Sequence, residues 1–131
     1  MPSSRTDTRF LAFKRAAEAG LVAVALLAAA THGVLLVQGS SMEPSVSSGD
    51  VIVYRRGATI LEAGDLVVFE HRDALVVHRV AALLRDGTLR TRGDANPVAD
   101  AVPLDASAVR GEVRIVLPTA GVLSRLAGLT P

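Results

Sequence analysis

Residues 64–83 read GDLVVFEHRDALVVHRVAAL, and this stretch decides the fold. It contains two short apolar runs, rich in valine, that are separated by a polar turn at residues 71–73. Short β-branched runs bounded by glycine and aspartate are typical of strands. We therefore predict strands at Asp65–Glu70 and Leu75–Ala81.

The same pattern continues on both sides of this stretch. Turn signals of serine, glycine and aspartate recur between further short apolar runs. These runs predict additional strands at Val51–Arg55, Thr88–Thr91 and Glu112–Leu117. The sequence thus predicts a mainly β domain over residues 38–117, and about 80 residues is near the lower limit for a single hydrophobic core.

An apolar segment precedes the β domain. Residues 20–37, GLVAVALLAAATHGVLLV, contain no Asp, Glu, Lys or Arg, and as a helix they would cover roughly 27 Å. We predict a single transmembrane helix here. Residues 1–19 are net basic, so the positive-inside tendency makes them a cytoplasmic arm and places the β domain outside the cytoplasm. A cleaved secretory signal and a buried helix of a soluble protein are the alternatives.

The last residues, 118–131, are predicted to form an apolar tail. Thr119–Leu129 reads TAGVLSRLAGL, which is too short to cross a bilayer. Two interpretations stay open, a segment at the membrane interface and a final helix packed on the core.

The composition excludes several classes of function. The chain has 131 residues, enough for one domain, and its net charge of +1 is too small for a typical nucleic-acid binder. It has no cysteine, which excludes disulfides, thiolate nucleophiles and cysteine-ligated zinc. Its only lysine is Lys14, upstream of the apolar segment. A nucleophile in the β domain must therefore be Ser, Thr or a carboxylate, and its base must be His, Asp or Glu.

Three histidines are candidates for that base. His32 lies inside the apolar segment and His71 lies in a polar turn, so roles in local bonding and solvation are the simpler interpretations. His78 differs because it interrupts an apolar strand. The histidines are widely spaced and no cofactor-binding motif is present, so we expect no metal and no cofactor.

Four motifs follow one another along the chain. They are SSMEPSVSSGDVIVYRR at residues 40–56, GDLVVF at 64–69, VVHRV at 76–80 and TRGDANPVAD at 91–100. Each is weak alone, but in this order, followed by a strand with Gly111, they resemble type I signal peptidase. One branch of that family uses lysine as its base, whereas the branch of the endoplasmic reticulum, archaea and some Gram-positive bacteria uses histidine. The resemblance implies the histidine branch, because His78 occupies that position.

The resemblance also implies a catalytic triad. Ser41 corresponds to the nucleophile, His78 to the base, and Asp100 to the carboxylate that orients the imidazole. Asp94 is the alternative carboxylate, although we expect it to brace its loop through backbone N–H groups. We prefer Asp100 for the triad.

The expected oxyanion site departs from the family pattern. The backbone N–H of Ser41 is the expected donor, but Gly39 stands where many members have a serine whose hydroxyl assists. Either Ser40 takes over that role or a second backbone group does. Met42 is a candidate wall of the substrate pocket, with core packing as the alternative.

These residues predict a membrane-bound serine endopeptidase that removes signal peptides from exported preproteins, cutting after small residues in Ala-x-Ala-like sites. Signal peptides and the lipid bilayer are the expected partners, with the secretion translocon as an open addition and nucleic acid not expected. One alternative is a specialised peptidase for a few fibre or pilus subunits, and another is an inactive membrane-anchored peptide-binding homologue. A self-cleaving repressor with a related β fold is less consistent, because its serine pairs with a lysine.

Overall fold

The computed structural model describes residues 4–57 and 60–119. This part of the chain consists of one long helix, α1 at Ser4–Thr31, followed by strands. The strands are β1 at His32–Leu36, β2 at Val51–Arg56, β3 at Leu66–His71, β4 at Ala74–Leu83, β5 at Leu89–Arg92 and β6 at Val109–Leu117, with a 3-10 turn at Ala106–Ala108 before β6. The prediction of a mainly β domain after one helix is confirmed. The helix and the sheet are two separate compact units.

The six described strands form one antiparallel sheet in the order β1-β2-β6-β3-β4-β5. β3 and β4 form a hairpin in which His71 pairs with Ala74, so the turn between them has two residues. These two, Arg72 and Asp73, both have positive φ, 48° and 63°. Such a turn matches the right-handed twist of its strands. The stretch that decides the fold is thus the hairpin that carries the candidate base.

The five predicted strands are present, with small differences at their ends. β4 continues two residues past the predicted Ala81, and β6 begins three residues before the predicted Glu112. β1 is not among the predicted strands, because its residues belong to the apolar run for which the sequence predicts a helix. It pairs with β2 so that Gly33 lies opposite Tyr54, whose ring fills the space beside the glycine.

The helix ends earlier than predicted. α1 stops at Thr31, whose hydroxyl donates a hydrogen bond to the Leu27 carbonyl at 2.8 Å, and residues 32–36 of the predicted transmembrane helix form β1 instead. The part of α1 without charged side chains, residues 19–31, is about 20 Å long at 1.5 Å per residue. Within residues 4–57 and 60–119, no helix has both the length and the apolar composition that crossing a membrane requires.

The remaining parts of the predicted organisation stay predictions. The tail lies outside the described residues from position 120 onward. The assignment of residues 1–19 to the cytoplasm and of the β domain to the outside is not tested by the fold.

Two apolar clusters hold the sheet together, one on each face of β3. Neighbouring Val67 and Val68 are both fully buried and point to opposite faces, so β3 is covered on both sides. The first cluster consists of Val37, Met42, Val46, Ile52, Tyr54, Val68 and Val77, and the second of Val67, Phe69, Val80 and Leu89. A fully buried side chain of this kind contributes about 1.5–3 kcal/mol. Met42 and Val46 therefore anchor the loop that carries Ser41 to the first cluster.

Candidate active site

His78 and Asp100 form a hydrogen-bonded pair. His78 lies on β4, and Asp100 lies on the segment that folds back along β5. That segment is held by the Asp100 N–H, which donates to the Thr91 carbonyl at 2.8 Å, and by two backbone hydrogen bonds between Leu89 and Leu104. As a result, Oδ2 of Asp100 lies 2.7 Å from Nδ1 of His78. An ionised carboxylate only accepts, so this hydrogen bond requires the proton on Nδ1, and in a neutral imidazole Nε2 then keeps a lone pair that can take a proton.

The imidazole is held in a largely buried position. The His78 side chain is 12 % exposed and that of Asp100 is 28 % exposed. The ring of Phe69 meets the imidazole edge to face, with 5.8 Å between the ring centroids. Packing and the carboxylate together limit the orientations that the ring of His78 can adopt.

Ser41 lies against the turn that follows β5. The Ala95 N–H donates to the Ser41 carbonyl at 2.9 Å. Gly93 approaches so closely that a Cβ on it would come within 2.5 Å of the Ser41 carbonyl oxygen and 3.1 Å of the Ser41 Cβ. Only glycine fits this contact, which explains the glycine of the TRGD motif by close backbone approach.

Ser41 lies near the strand position of His78. Arg79, the residue after His78, pairs with Arg92, and the residue after Arg92 is Gly93, against which Ser41 packs. The backbone of Ser41 therefore lies beside the end of β5 that is nearest to His78. Among the described side chains, no hydrogen bond joins the Ser41 hydroxyl to His78, a separation common in catalytic sites without substrate.

Asp94 pairs with Arg79 instead of His78. Arg79 donates from Nε to Oδ1 of Asp94 at 2.8 Å and from Nη2 to Oδ2 at 2.6 Å, and its Nη1 donates to the Gly64 carbonyl at 2.7 Å. These hydrogen bonds lower the pKa of the Asp94 carboxyl and raise the pKa of Arg79. We expected Asp94 to brace its loop through backbone N–H groups; both of its oxygens accept from the Arg79 side chain.

A groove runs beside Ser41. It is a cavity of about 510 Å³ lined by Ser41, by neighbouring residues within 35–42 and by residues 74–77 of β4. β1 is at one end of the sheet, and β5 pairs with β4 only from Arg79 onward. Both walls of the groove therefore present strand edges that have no partner strand among the described residues. Such edges can accept an extended peptide through backbone hydrogen bonds.

The comparisons with known proteins identify the family of this chain. The model of the family described as Peptidase S24-like matches residues 14–115, most of the chain. The chain belongs to this family. Signal peptidase I W of Bacillus subtilis (strain 168) is 30 % identical over 82 residues, which are 58 % of this chain and 43 % of the relative. This S24-like peptidase is thus distantly related to a signal peptidase I, and it spans less than half of that relative's length.

The remaining predicted residues of the S24-like peptidase surround Ser41. Gly39 has a φ of 95°, in the region that favours glycine, so the serine that many signal peptidases have there would be strained in this backbone. Ser40 is exposed, and its carbonyl accepts from the Glu43 N–H at 3.1 Å. Met42 is 2 % exposed and belongs to the first core cluster, but it also lines the groove. Both interpretations of Met42 are thus consistent with the structure.

Two residues of the site were missed by sequence reasoning. The hydroxyl of Thr91 donates to Oδ2 of Asp100 at 2.6 Å, and Arg79 holds Asp94. Both residues stand within quoted motifs, TRGDANPVAD and VVHRV, but the motifs do not indicate what their side chains contact. Arg79 reaches Asp94 through the register of β4 and β5, and Thr91 reaches Asp100 because the segment of Asp100 folds back along β5.

Proposed function

We propose that this S24-like peptidase is a serine endopeptidase whose triad is Ser41, His78 and Asp100. The observation that carries the proposal is the 2.7 Å hydrogen bond between His78 and Asp100. The packing of Ser41 against Gly93, near the strand position of His78, supports it. The residues from His32 to the end of the chain include no lysine, so the alternative base of serine peptidases of this type is absent from the sheet unit.

The proposed reaction begins with a proton transfer. Nε2 of His78 takes the proton of the Ser41 hydroxyl while Oγ attacks the scissile carbonyl, and Asp100 stabilises the imidazolium that forms. The oxyanion accepts a hydrogen bond from the Ser41 N–H. The imidazolium then donates its proton to the leaving amine, which leaves an acyl ester on Ser41. Water, deprotonated by the same imidazole, hydrolyses this ester and restores the serine.

The proposed substrates are signal peptides of exported preproteins. The groove beside Ser41 supports an extended chain, because its walls have free strand edges and are largely aliphatic. The name of the Bacillus relative, a signal peptidase, supports this substrate class. We propose that cleavage follows small residues in Ala-x-Ala-like sites, as the resemblance to type I signal peptidase implies.

We also propose that the protein contacts the lipid bilayer, with its β domain outside the cytoplasm. On one face of the sheet, cross-strand neighbours form two aliphatic rows, of which the outer members are 44–69 % exposed. The rows are Val34, Val53 and Ile115, and Leu36, Val51 and Leu117. In α1, Phe13 and Leu21 are more than 70 % exposed. Exposed apolar surface of this kind marks an interaction site, and a bilayer fits both units.

Locating the cut tests the proposed substrate. The detergent-solubilised protein is incubated with an exported preprotein that has Ala at positions −1 and −3, and mass spectrometry identifies the new amino terminus. We expect one cut after the −1 Ala, and no cut when that Ala is replaced by Leu or when Ser41→Ala replaces the enzyme. Equal cleavage of the Ala and Leu substrates would contradict the specificity for small residues.

A panel of preproteins separates general from specialised processing. General signal peptidase activity predicts cleavage of unrelated preproteins at similar rates, whereas cleavage restricted to fibre or pilus subunits would support the specialised alternative. Binding without turnover across the whole panel would support the inactive homologue.

Flotation tests the lipid partner. The protein is mixed with vesicles of phosphatidylcholine and phosphatidylglycerol, and we expect it to float with them in a density gradient. Recovery of the protein only in the vesicle-free fraction would contradict contact with the bilayer.

A further inference from the structure

Thr91 is a buried polar residue that touches the proposed triad. It is 1 % exposed, and it is one of only two polar or charged residues that are buried within residues 8–57 and 60–119. A buried hydroxyl must find a hydrogen-bond partner, and the partner of Thr91 is Oδ2 of Asp100, at 2.6 Å. The same oxygen accepts from Nδ1 of His78.

Thr91 holds Asp100 at two points. Its carbonyl accepts the N–H of Asp100 at 2.8 Å, and its hydroxyl binds the carboxylate of the same residue. The first contact fixes the backbone of Asp100 along β5, and the second fixes the rotation of the side chain. With Oδ2 fixed in this way, the carboxylate faces Nδ1 of His78.

We propose that Thr91 is a positioning residue of the triad, acting through Asp100. Its hydroxyl keeps Oδ2 of Asp100 within hydrogen-bond distance of Nδ1 of His78. The imidazole therefore stays in the tautomer whose Nε2 accepts the serine proton. This inference rests on the proposed function. It adds a fourth residue, which neither the sequence motifs nor the resemblance to type I signal peptidase assigns.

The alternative is that Thr91 only fills space in the core. A packing role depends on the methyl group and the volume of the side chain, and a positioning role depends on the hydroxyl. Two substitutions separate these roles, because Thr91→Val keeps the volume and removes the hydroxyl, whereas Thr91→Ser keeps the hydroxyl and removes the methyl group.

Steady-state kinetics on the preprotein test the proposal. We expect Thr91→Val to lower kcat about 10-fold, the equivalent of ~1.4 kcal/mol and the size of one hydrogen bond, with KM unchanged. Thr91→Ser should retain kcat within about 2-fold. A Thr91→Val enzyme with wild-type kcat, or a Thr91→Ser enzyme that loses more activity than Thr91→Val, would overturn the proposal. Thermal unfolding of both variants verifies that they are folded.

Proton NMR provides a readout that does not depend on turnover. We expect a downfield Nδ1 proton resonance of His78 in the wild type, assigned by its absence in His78→Ala. Thr91→Val should shift or broaden it, whereas Thr91→Ser should preserve it. An unchanged resonance in Thr91→Val would overturn the positioning role even if no substrate had been found. Conversely, if the resonance changes in Thr91→Val as expected but the wild type cleaves no preprotein, the proposed function is contradicted and the Thr91 contact remains supported.

Discussion

Two neighbouring residues of β4, His78 and Arg79, each pair with an aspartate from the same stretch of chain, but the two pairs differ in chemistry. His78 projects from the face of the sheet on which its strand partner Val67 lies, and its partner Asp100 is 28 % exposed. Arg79 is the next residue, so it projects from the other face. It binds both oxygens of Asp94, which is 11 % exposed.

The difference shows how one hairpin can provide both reactivity and support. A guanidinium stays protonated near neutral pH and cannot act as an acid or a base there, so the Arg79–Asp94 pair can only hold the loop in place. An imidazole can give and take a proton, so the His78–Asp100 pair can take part in a reaction. Because successive side chains of a strand point to opposite faces of the sheet, two neighbouring residues of β4 can serve these two tasks separately.

The largest expected effect comes from removing the charge of the reactive pair. Asp100→Asn should lower kcat about 10⁴-fold, because an amide at this place stabilises the wrong tautomer of His78 and does not stabilise the imidazolium. Its thermal midpoint should stay close to that of the wild type. The measurement is kcat on the preprotein beside a melting curve. An Asp100→Asn enzyme no less active than Asp94→Asn would remove the distinction between the two carboxylates.

The matching change in the supporting pair should lower stability and leave kcat nearly unchanged, the reverse of the effect expected for Asp100→Asn. Asp94→Asn should lower the free energy of unfolding by about 2 kcal/mol, because the neutral amide can accept only one of the two hydrogen bonds that Arg79 donates to the carboxylate. Its folded fraction should keep kcat within about 10-fold of the wild type. Urea unfolding measures the first quantity, with Glu62→Gln, an exposed position, as the control. Wild-type stability in Asp94→Asn would contradict the supporting role.

Acid titration separates the two pairs further. The pKa of Asp94 is lowered in the folded protein from its ordinary value of 3.8, chiefly by the hydrogen bonds from Arg79. The ionised carboxylate therefore stabilises the fold above this pH, and the contribution is lost as the pH falls through the lower folded-state pKa. Below pH 4, the free energy of unfolding should fall more steeply with decreasing pH in the wild type than in Asp94→Asn. Identical pH dependence in both proteins would show that Asp94 contributes nothing there.

The smallest expected effect concerns Gly39, beside the nucleophile. Gly39→Ser restores the residue that many signal peptidases have there, but the positive φ at this position makes any side chain costly, by about 1 kcal/mol. We expect slightly lower stability and no increase in kcat, with Ser40→Ala as the companion variant. A large gain of activity in Gly39→Ser would mean that the backbone adapts and that the missing hydroxyl limits the enzyme.

Much of this site could be predicted from the sequence. Ser41, His78 and Asp100 are predicted as a triad because four motifs occur in a fixed order, and the structure adds the contact between the last two. The five predicted strands are confirmed, because valine-rich runs alternate with turn residues. Neither signal depends on three-dimensional neighbours.

The parts that could not be predicted depend on pairing between distant segments. β1 has the same aliphatic composition as the helix before it, and only its pairing with β2, where Gly33 accommodates the ring of Tyr54, determines that it is a strand. The partner of Asp94 depends on the register of β4 and β5, and the partner of Asp100 depends on how its segment folds back along β5. Thr91 and Arg79 lie within two of the four motifs, but no motif indicates these contacts.

The central claim is that the Ser41 hydroxyl transfers its proton to His78 during catalysis, and matched substitutions test it most directly. Cleavage of the preprotein is measured for Ser41→Ala and His78→Ala, with Ser48→Ala and His71→Ala as controls at exposed positions. The account predicts that the first two folded proteins do not cleave and that both controls cleave at the wild-type rate. Cleavage at the same bond by folded Ser41→Ala or His78→Ala, at a rate close to that of its control, would contradict it.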